Sequence, residues 1–266
     1  MGTIWLLSLP DVLRGAGLRV VEHPGWETRA RSSGGYDAVL AVQVHHTASK
    51  TSPENDQAYI WHNADSEPIG ACYLGRDGVW TVGCAGATNT SGSGGPLGAI
   101  PLDAANRYVI SVEAANDGVG EPWPWVQTDS YLTGVTALCA AYGLSTRHPD
   151  VHSHKEWTSR KIDPAGPSPW AQGSASWNMD AFRADLGAGP PPPQEDDVLP
   201  IKVRFYGTLN VFLYGHGGYS HISIALDEYF ANLPTVVSEY HPQAVKSALA
   251  QSGLTEADLV PHHGEP

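Results

Sequence analysis

Ala38-Val-Leu-Ala-Val-Gln-Val-His-His46 is apolar and rich in β-branched residues until it ends in two imidazoles. A run this short is too brief for a free-standing helix, and its continuous apolarity fits a strand covered on both faces. Its carboxyl end is where open α/β sheets commonly bind ligands, so the histidine pair is placed for function as well as packing. A second run, Tyr108-Val-Ile-Ser-Val-Glu113, ends in a carboxylate. Between the two, Ser52-Pro53-Glu54 supplies an N-cap, a first-turn proline and a first-turn acid, which predicts a helix carrying Tyr59 and Trp61. Gly70 to Gly83 reads as a hairpin turning at Arg76-Asp77-Gly78, with Tyr73, Trp80 and Val82 on its arms. From Asp129 to Tyr142, Leu132, Val135, Leu138, Cys139 and Tyr142 recur at helical spacing and Gly143 stands at the C-cap. The stretch from Arg147 to Ser174 is predicted as ordered loop, and Trp177 to Leu186 as a last short helix. Strands mixed with helices predict an α/β fold: a central mixed β-sheet flanked by helices.

The chain has 266 residues, of which 41% are hydrophobic and 16% charged, enough apolar material for one substantial core and a small second module. The clearest boundary is the run from Gly187 to Pro200, with prolines at 190–193 and acids at 195–197, which favours a stiff, solvated linker. It separates a body at 35–187, preceded by an apolar segment at 1–34 expected to pack on it, from a tail at 201–266. The tail reads as a small α+β module, with strands at Ile201 to Tyr206, Asn210 to Tyr214 and Tyr219 to Ile224 and helical pieces around Leu226 to Leu233 and Pro242 to Ser252. Fifteen Lys and Arg against 28 Asp and Glu give a formal net charge of −13, which opposes binding to a phosphate backbone and makes nucleic acid a poor partner. No stretch approaches the roughly 20 apolar residues that span a bilayer, so membrane insertion is not expected. The opening residues lack a basic segment followed by a long apolar run, so synthesis without a signal peptide is expected. The three cysteines, Cys72, Cys84 and Cys139, match no paired zinc pattern.

Two constellations could carry chemistry. His45-His46 sits at a strand end, but adjacent strand residues face opposite ways, so the two do not easily serve one site. His152-Ser-His154-Lys-Glu-Trp-Thr-Ser-Arg-Lys161-Ile-Asp163-Pro-Ala-Gly166 puts histidine, lysine and carboxylate in one segment, which reads either as a solvated charged loop or as a placed set. Together His45, His154 and Asp163 offer two nitrogens and one oxygen, leaving a fourth tetrahedral position open, as catalytic zinc requires. That reading holds only if the fold gathers residues so far apart. Trp123, Trp125, Trp157 and Trp170 suit either a substrate groove or the core. Asn89-Thr90-Ser91 formally matches a glycosylation acceptor and is read as chance.

Val44-His45-His46-Thr47-Ala48, the 70–83 hairpin, Ser111-Val112-Glu113 and His154…Arg160-Lys161-Ile162-Asp163-Pro164 occur in the order found in type 2 N-acetylmuramoyl-L-alanine amidases, the zinc-dependent family shaped like peptidoglycan-recognition proteins. The chain resembles that family over about residues 35–187. Glu113-Ala-Ala-Asn116-Asp-Gly-Val-Gly-Glu-Pro-Trp123-Pro looks particularly like the endolysins of phages of actinobacteria. The resemblance implies a Zn2+ ion on His45, His154 and Asp163, with Lys161 steadying the oxyanion and Glu113 as general base. His152 competes with His154, but only His154 precedes Lys-Glu-Trp at the family spacing. Tyr73 does not sit at the family's tyrosine offset and receives no catalytic role. The implied substrate is bacterial peptidoglycan, cut between N-acetylmuramic acid and L-alanine after the enzyme leaves the host cytoplasm. A noncatalytic wall-binding relative, expected to lack a ligand histidine, is the alternative; a metal-dependent nuclease conflicts with the acidic charge. The tail is then expected to target the cell wall.

Overall fold

The computed structural model describes residues 2–63 and 68–186, and four strands of the tail. Contacts divide the chain into two compact units, Met1–Pro191 and Pro192–Pro266. The first unit runs α1 (Leu9–Gly15), β1 (Val20–Glu22), β2 (Ala41–His46), α2 (Pro53–His62), β3 (Cys72–Leu74), β4 (Trp80–Val82), β5 (Val109–Ala114), α3 (Trp125–Tyr142), β6 (Val151–Ser153), α4 (His154–Trp157) and α5 (Met179–Asp185). Its sheet has the order β1-β4-β3-β5-β2-β6. Only the β3–β4 hairpin is antiparallel; the other pairs are parallel. This is the mixed sheet flanked by helices that the sequence predicts.

β2 and β5 are buried along all six of their residues. One face is apolar through Val42, Val44, Ile110 and Val112, while the other, equally covered, carries Gln43, His45, Ser111 and Glu113. Their register sets His45 opposite Glu113. α2 starts as expected, with the Ser52 hydroxyl accepting from the Asn55 backbone N–H, and α3 ends at Gly143 in the left-handed conformation, φ 69°. α3 begins at Trp125, ahead of the predicted Asp129, with Pro124 at its N-cap. Its first turn carries Trp125 and Val126 exposed, so the buried stripe that marks the helix in sequence starts only later.

The segment predicted as loop from Arg147 to Ser174 contains β6 and α4. β6 is three residues long, too short to show a period. α4 is announced by Ser153 and Glu156, which form a capping box that satisfies two orphan N–H donors of its N-terminus reciprocally. The N-terminal segment goes further than packing on the body. β1 pairs with β4 at the sheet edge, and Leu6, Leu9 and Leu13 lie in the main core.

That core continues through α3 into an aromatic cluster of Trp123, Tyr131, Trp170, Trp177 and Phe182, with Trp123 and Trp177 centroids 4.6 Å apart. Three of the four tryptophans considered for a groove, Trp123, Trp157 and Trp170, are therefore core residues, while Trp125 is exposed. Gly134 faces Trp80, whose Cζ2 would lie 2.1 Å from an added Cβ. Alanine favours a helix interior over glycine by about 1 kcal/mol, but overpacking a rigid indole costs about 1–3 kcal/mol. Gly134→Ala is thus expected to be net destabilising, and urea denaturation giving a higher midpoint than the parent would contradict this packing.

In the second unit, β7 (Ile201–Arg204), β8 (Val211–Gly215), β9 (Gly218–His221) and β10 (Thr235–Val236) form a sheet of order β10-β7-β8-β9. Its antiparallel β7, β8 and β9 overlap the three expected strands; the linker and the expected helical pieces lie outside the described residues. Among the described residues no helix is long and apolar enough to cross a membrane.

Candidate metal centre

β2 carries His45 to the carboxyl edge of the sheet, where it is 1% exposed. β6 runs alongside with Ser153 opposite Val44, so His154 emerges beside His45 as the first residue of α4. The chain then loops back. Lys155 N–H donates to the Asp163 carbonyl, which returns Asp163 to the two imidazoles. Asp163 Oδ2 lies 2.9 Å from His45 Nδ1 and 3.2 Å from His154 Nδ1. The ligand atoms of the three residues all lie within 4.8 Å of one another, and all three residues are buried. Glu113 Oε1 is 3.9 Å from His45 Nδ1.

Electrostatics follow from this burial. Desolvation, reinforced by the neighbouring His154, pushes the His45 imidazole down to about 4 against the pull of Asp163, so the ring is neutral at pH 7. Burial pushes the Asp163 carboxyl up, but the close imidazoles of His154 and His45 outweigh it and hold the group below the usual carboxylate range. Burial, then the negative charge of Asp163, holds the Glu113 carboxyl well above that range, opposed by Lys161.

The donor set fits a cation. His154 Nε2 is 3.1 Å from the Ser91 carbonyl, which can only accept, so Nε2 carries the ring proton and Nδ1 presents a lone pair. That lone pair faces a carboxylate oxygen. Two acceptors in contact are relieved by a positive charge between them, either a proton or a metal ion. Two imidazole nitrogens and one carboxylate oxygen are a donor set that zinc accepts.

The other candidates fall elsewhere. His46 turns away from the group, and its Nδ1 accepts from the Ala165 N–H at 3.0 Å. His152 is fully buried one row below, with Nδ1 3.0 Å from the Pro149 carbonyl. Tyr73 lies opposite Glu113 in register, but its hydroxyl points to Asp56 Oδ2, 3.5 Å away. Lys161 is exposed on the loop before Asp163 and has no ion-pair partner among the described residues; its charge nonetheless reaches Glu113 and His46.

Residues 35–166 match the profile of the family described as N-acetylmuramoyl-L-alanine amidase. The chain belongs to that family. It is a peptidoglycan amidase of the type 2 class, and the matched segment takes in His45, Glu113, His154, Lys161 and Asp163. Among solved structures, N-acetylmuramoyl-L-alanine amidase LysC from Clostridium intestinale URNW is 15% identical, with 63% of this chain and 97% of that one covered and a TM-score of 0.45. PlyL is 18% identical over 65% of this chain and 99% of its own, with a TM-score of 0.44. A mutant of Drosophila PGRP-LB in complex with tracheal cytotoxin is 17% identical over 56% and 90%, with a TM-score of 0.39. No curated protein matched the chain.

Around this amidase centre lie residues to which sequence reading assigned no part in it. The Tyr131 hydroxyl accepts from the His45 N–H and lies 3.1 Å and 3.2 Å from the His45 and Val112 carbonyls, tying α3 to the ends of β2 and β5. Thr90 and Ser91 touch the far nitrogens of the two imidazoles. Their one sequence signal was the Asn89-Thr90-Ser91 match to a glycosylation acceptor, read as chance.

Proposed function

We propose that this amidase is zinc-dependent and hydrolyses the bond between the lactyl group of N-acetylmuramic acid and L-alanine, in the manner of a phage endolysin. The observation that carries the reading is the convergence of His45, His154 and Asp163 with Glu113 immediately beside them. His45, His154 and Asp163 would hold the ion. Zinc, when bound, supplies a Lewis acid that activates water near neutral pH and polarises a carbonyl. Glu113 takes the proton of the attacking water and returns it to the leaving amine, a double duty suited to a carboxyl that burial holds above its ordinary range. Lys161 is the nearby free cation at the rim and offsets negative charge developing on the scissile carbonyl oxygen. The full donor set favours catalysis over wall binding alone, since a binding relative has no use for a ligand set with a neighbouring base. The endolysin role is supported by the likeness of the 113–124 segment to that group.

The test combines metal removal with product analysis. Chelation is expected to abolish lysis of purified wall, and zinc to restore it. Mass spectrometry should then find stem peptides with a new free L-alanine amino group. Cleavage within the glycan or the stem, or lysis that survives chelation, overturns the proposal.

A further inference from the structure

Two polar rows stack on the face of the sheet that carries the site. The upper row holds Glu113 and His45, with His154 just beyond the end of β6. The lower row, one pleat earlier, holds Ser111, Gln43 and His152, aligned by register and all fully buried. The Thr88–Ser91 segment spans both. Thr90 Oγ1 lies 3.0 Å from His45 Nε2, and the Ser91 carbonyl 3.1 Å from His154 Nε2. The segment is itself held: Ser91 Oγ donates to Gln43 Oε1 at 2.6 Å, Ser91 N–H donates to Asn106 Oδ1 at 2.7 Å, and Thr88 Oγ1 meets Ser111 Oγ at 3.1 Å.

We infer that Thr90-Ser91, fixed from below by Gln43 and Asn106, is a positioning strap that sets the His154 tautomer and supports the Nε2–H form of His45, so that both Nδ1 lone pairs face one ion. The inference rests on the metal reading of His45, His154 and Asp163. An imidazole binds a cation through one nitrogen only when the other carries the proton, and the partner of that second nitrogen decides which is which. Ser91 enforces the choice on His154, because a carbonyl cannot donate. Thr90 follows His45 through both states. Its hydroxyl accepts the Nε2 proton when Nδ1 faces an ion, and donates to Nε2 when Nδ1–H faces Asp163 instead.

The lower row explains how the strap is kept in place. Gln43 Nε2 and His152 Nε2 are both buried without a hydrogen-bond partner, on adjacent strands and in register. His152 Nδ1 faces a carbonyl, so its Nε2 is an acceptor, which complements the Gln43 amide donor. The two atoms are complementary, which favours the Gln43 amide orientation that turns its oxygen toward Ser91. Neither Gln43 nor Thr90 touches the reacting atoms; they act through the ligands.

Zinc affinity of the full-length protein, measured by competition with a chromophoric chelator well below the melting temperature, tests this. Thr90→Val keeps the shape of the side chain and removes the acceptor. It is expected to weaken zinc binding by about 10- to 100-fold, as losses of such outer partners do, and Thr90→Ser is expected to restore parental affinity. Gln43→Leu should weaken binding in the same direction; if it fails to fold, the Thr90 pair decides alone. Parental affinity in Thr90→Val, or equal weakening in Thr90→Ser, overturns the strap while leaving the metal centre intact. A parent that binds no zinc, or a His154→Ala variant that binds it as the parent does, overturns the metal reading itself.

Discussion

His154→Ala is expected to leave a folded protein that neither retains zinc nor opens peptidoglycan. Losing one of three buried ligand residues withdraws the Lewis acid, a contribution of several kcal/mol to the transition state. Because about 1.4 kcal/mol is a factor of ten in rate, wall hydrolysis should fall to less than about a thousandth of the parent. Melting of the metal-free variant, followed by circular dichroism, separates this from unfolding. The substitution also removes the Nδ1 that faces Asp163 Oδ2 at 3.2 Å, and so relieves an acceptor-to-acceptor contact in the metal-free protein. A cooperative melt together with lost metal and lost activity is the expected combination. A variant that keeps stoichiometric zinc and measurable turnover shows that the ion sits elsewhere.

Glu113→Gln makes the complementary change. It preserves size and hydrogen bonding at the end of β5 but removes the ability to take up a proton. Zinc content should stay at the parental level while turnover drops about 10²- to 10⁴-fold, the usual worth of a positioned general base. The pH profile supplies a second readout. In the parent, activity rises as the carboxyl gives up its proton, and burial places that limb above the ordinary carboxylate range. In the variant the limb is absent. Turnover above about a tenth of the parent, with the limb retained, would assign the proton transfer to another group.

The sequence showed different parts of this molecule to different depths. β2, β5 and α2 are legible because their cues are local: six-residue buried runs and the Ser52-Pro53-Glu54 start. β1 and β6 are not, since three-residue strands carry no period and exist through their neighbours. The missed β6 mattered, because it turns His154 from a residue in a loop into one at a strand end beside His45. His45, His154 and Asp163 were legible as a donor set and the family likeness supported them, whereas their meeting across 118 residues depends on the β2–β6 register and on the loop that returns Asp163. The roles of Gln43, Thr90 and Ser91 were invisible for a further reason. Their contacts are side chain to side chain or to a distant carbonyl, and nothing in the spacing of a serine announces which ring its carbonyl will hold.

The pairing of β1 with β4 also bears on how the chain can be divided. The family match begins at residue 35, but a fragment starting there would lack the strand that covers β4 and the Leu6, Leu9 and Leu13 side chains that fill the core. It would present a bare row of main-chain amides and carbonyls next to an open greasy socket, the combination that templates intermolecular stacking. Whoever trims this protein to a minimal lytic fragment therefore has to cut after the first 34 residues have been counted in, because the boundary drawn by likeness is not the boundary drawn by solubility.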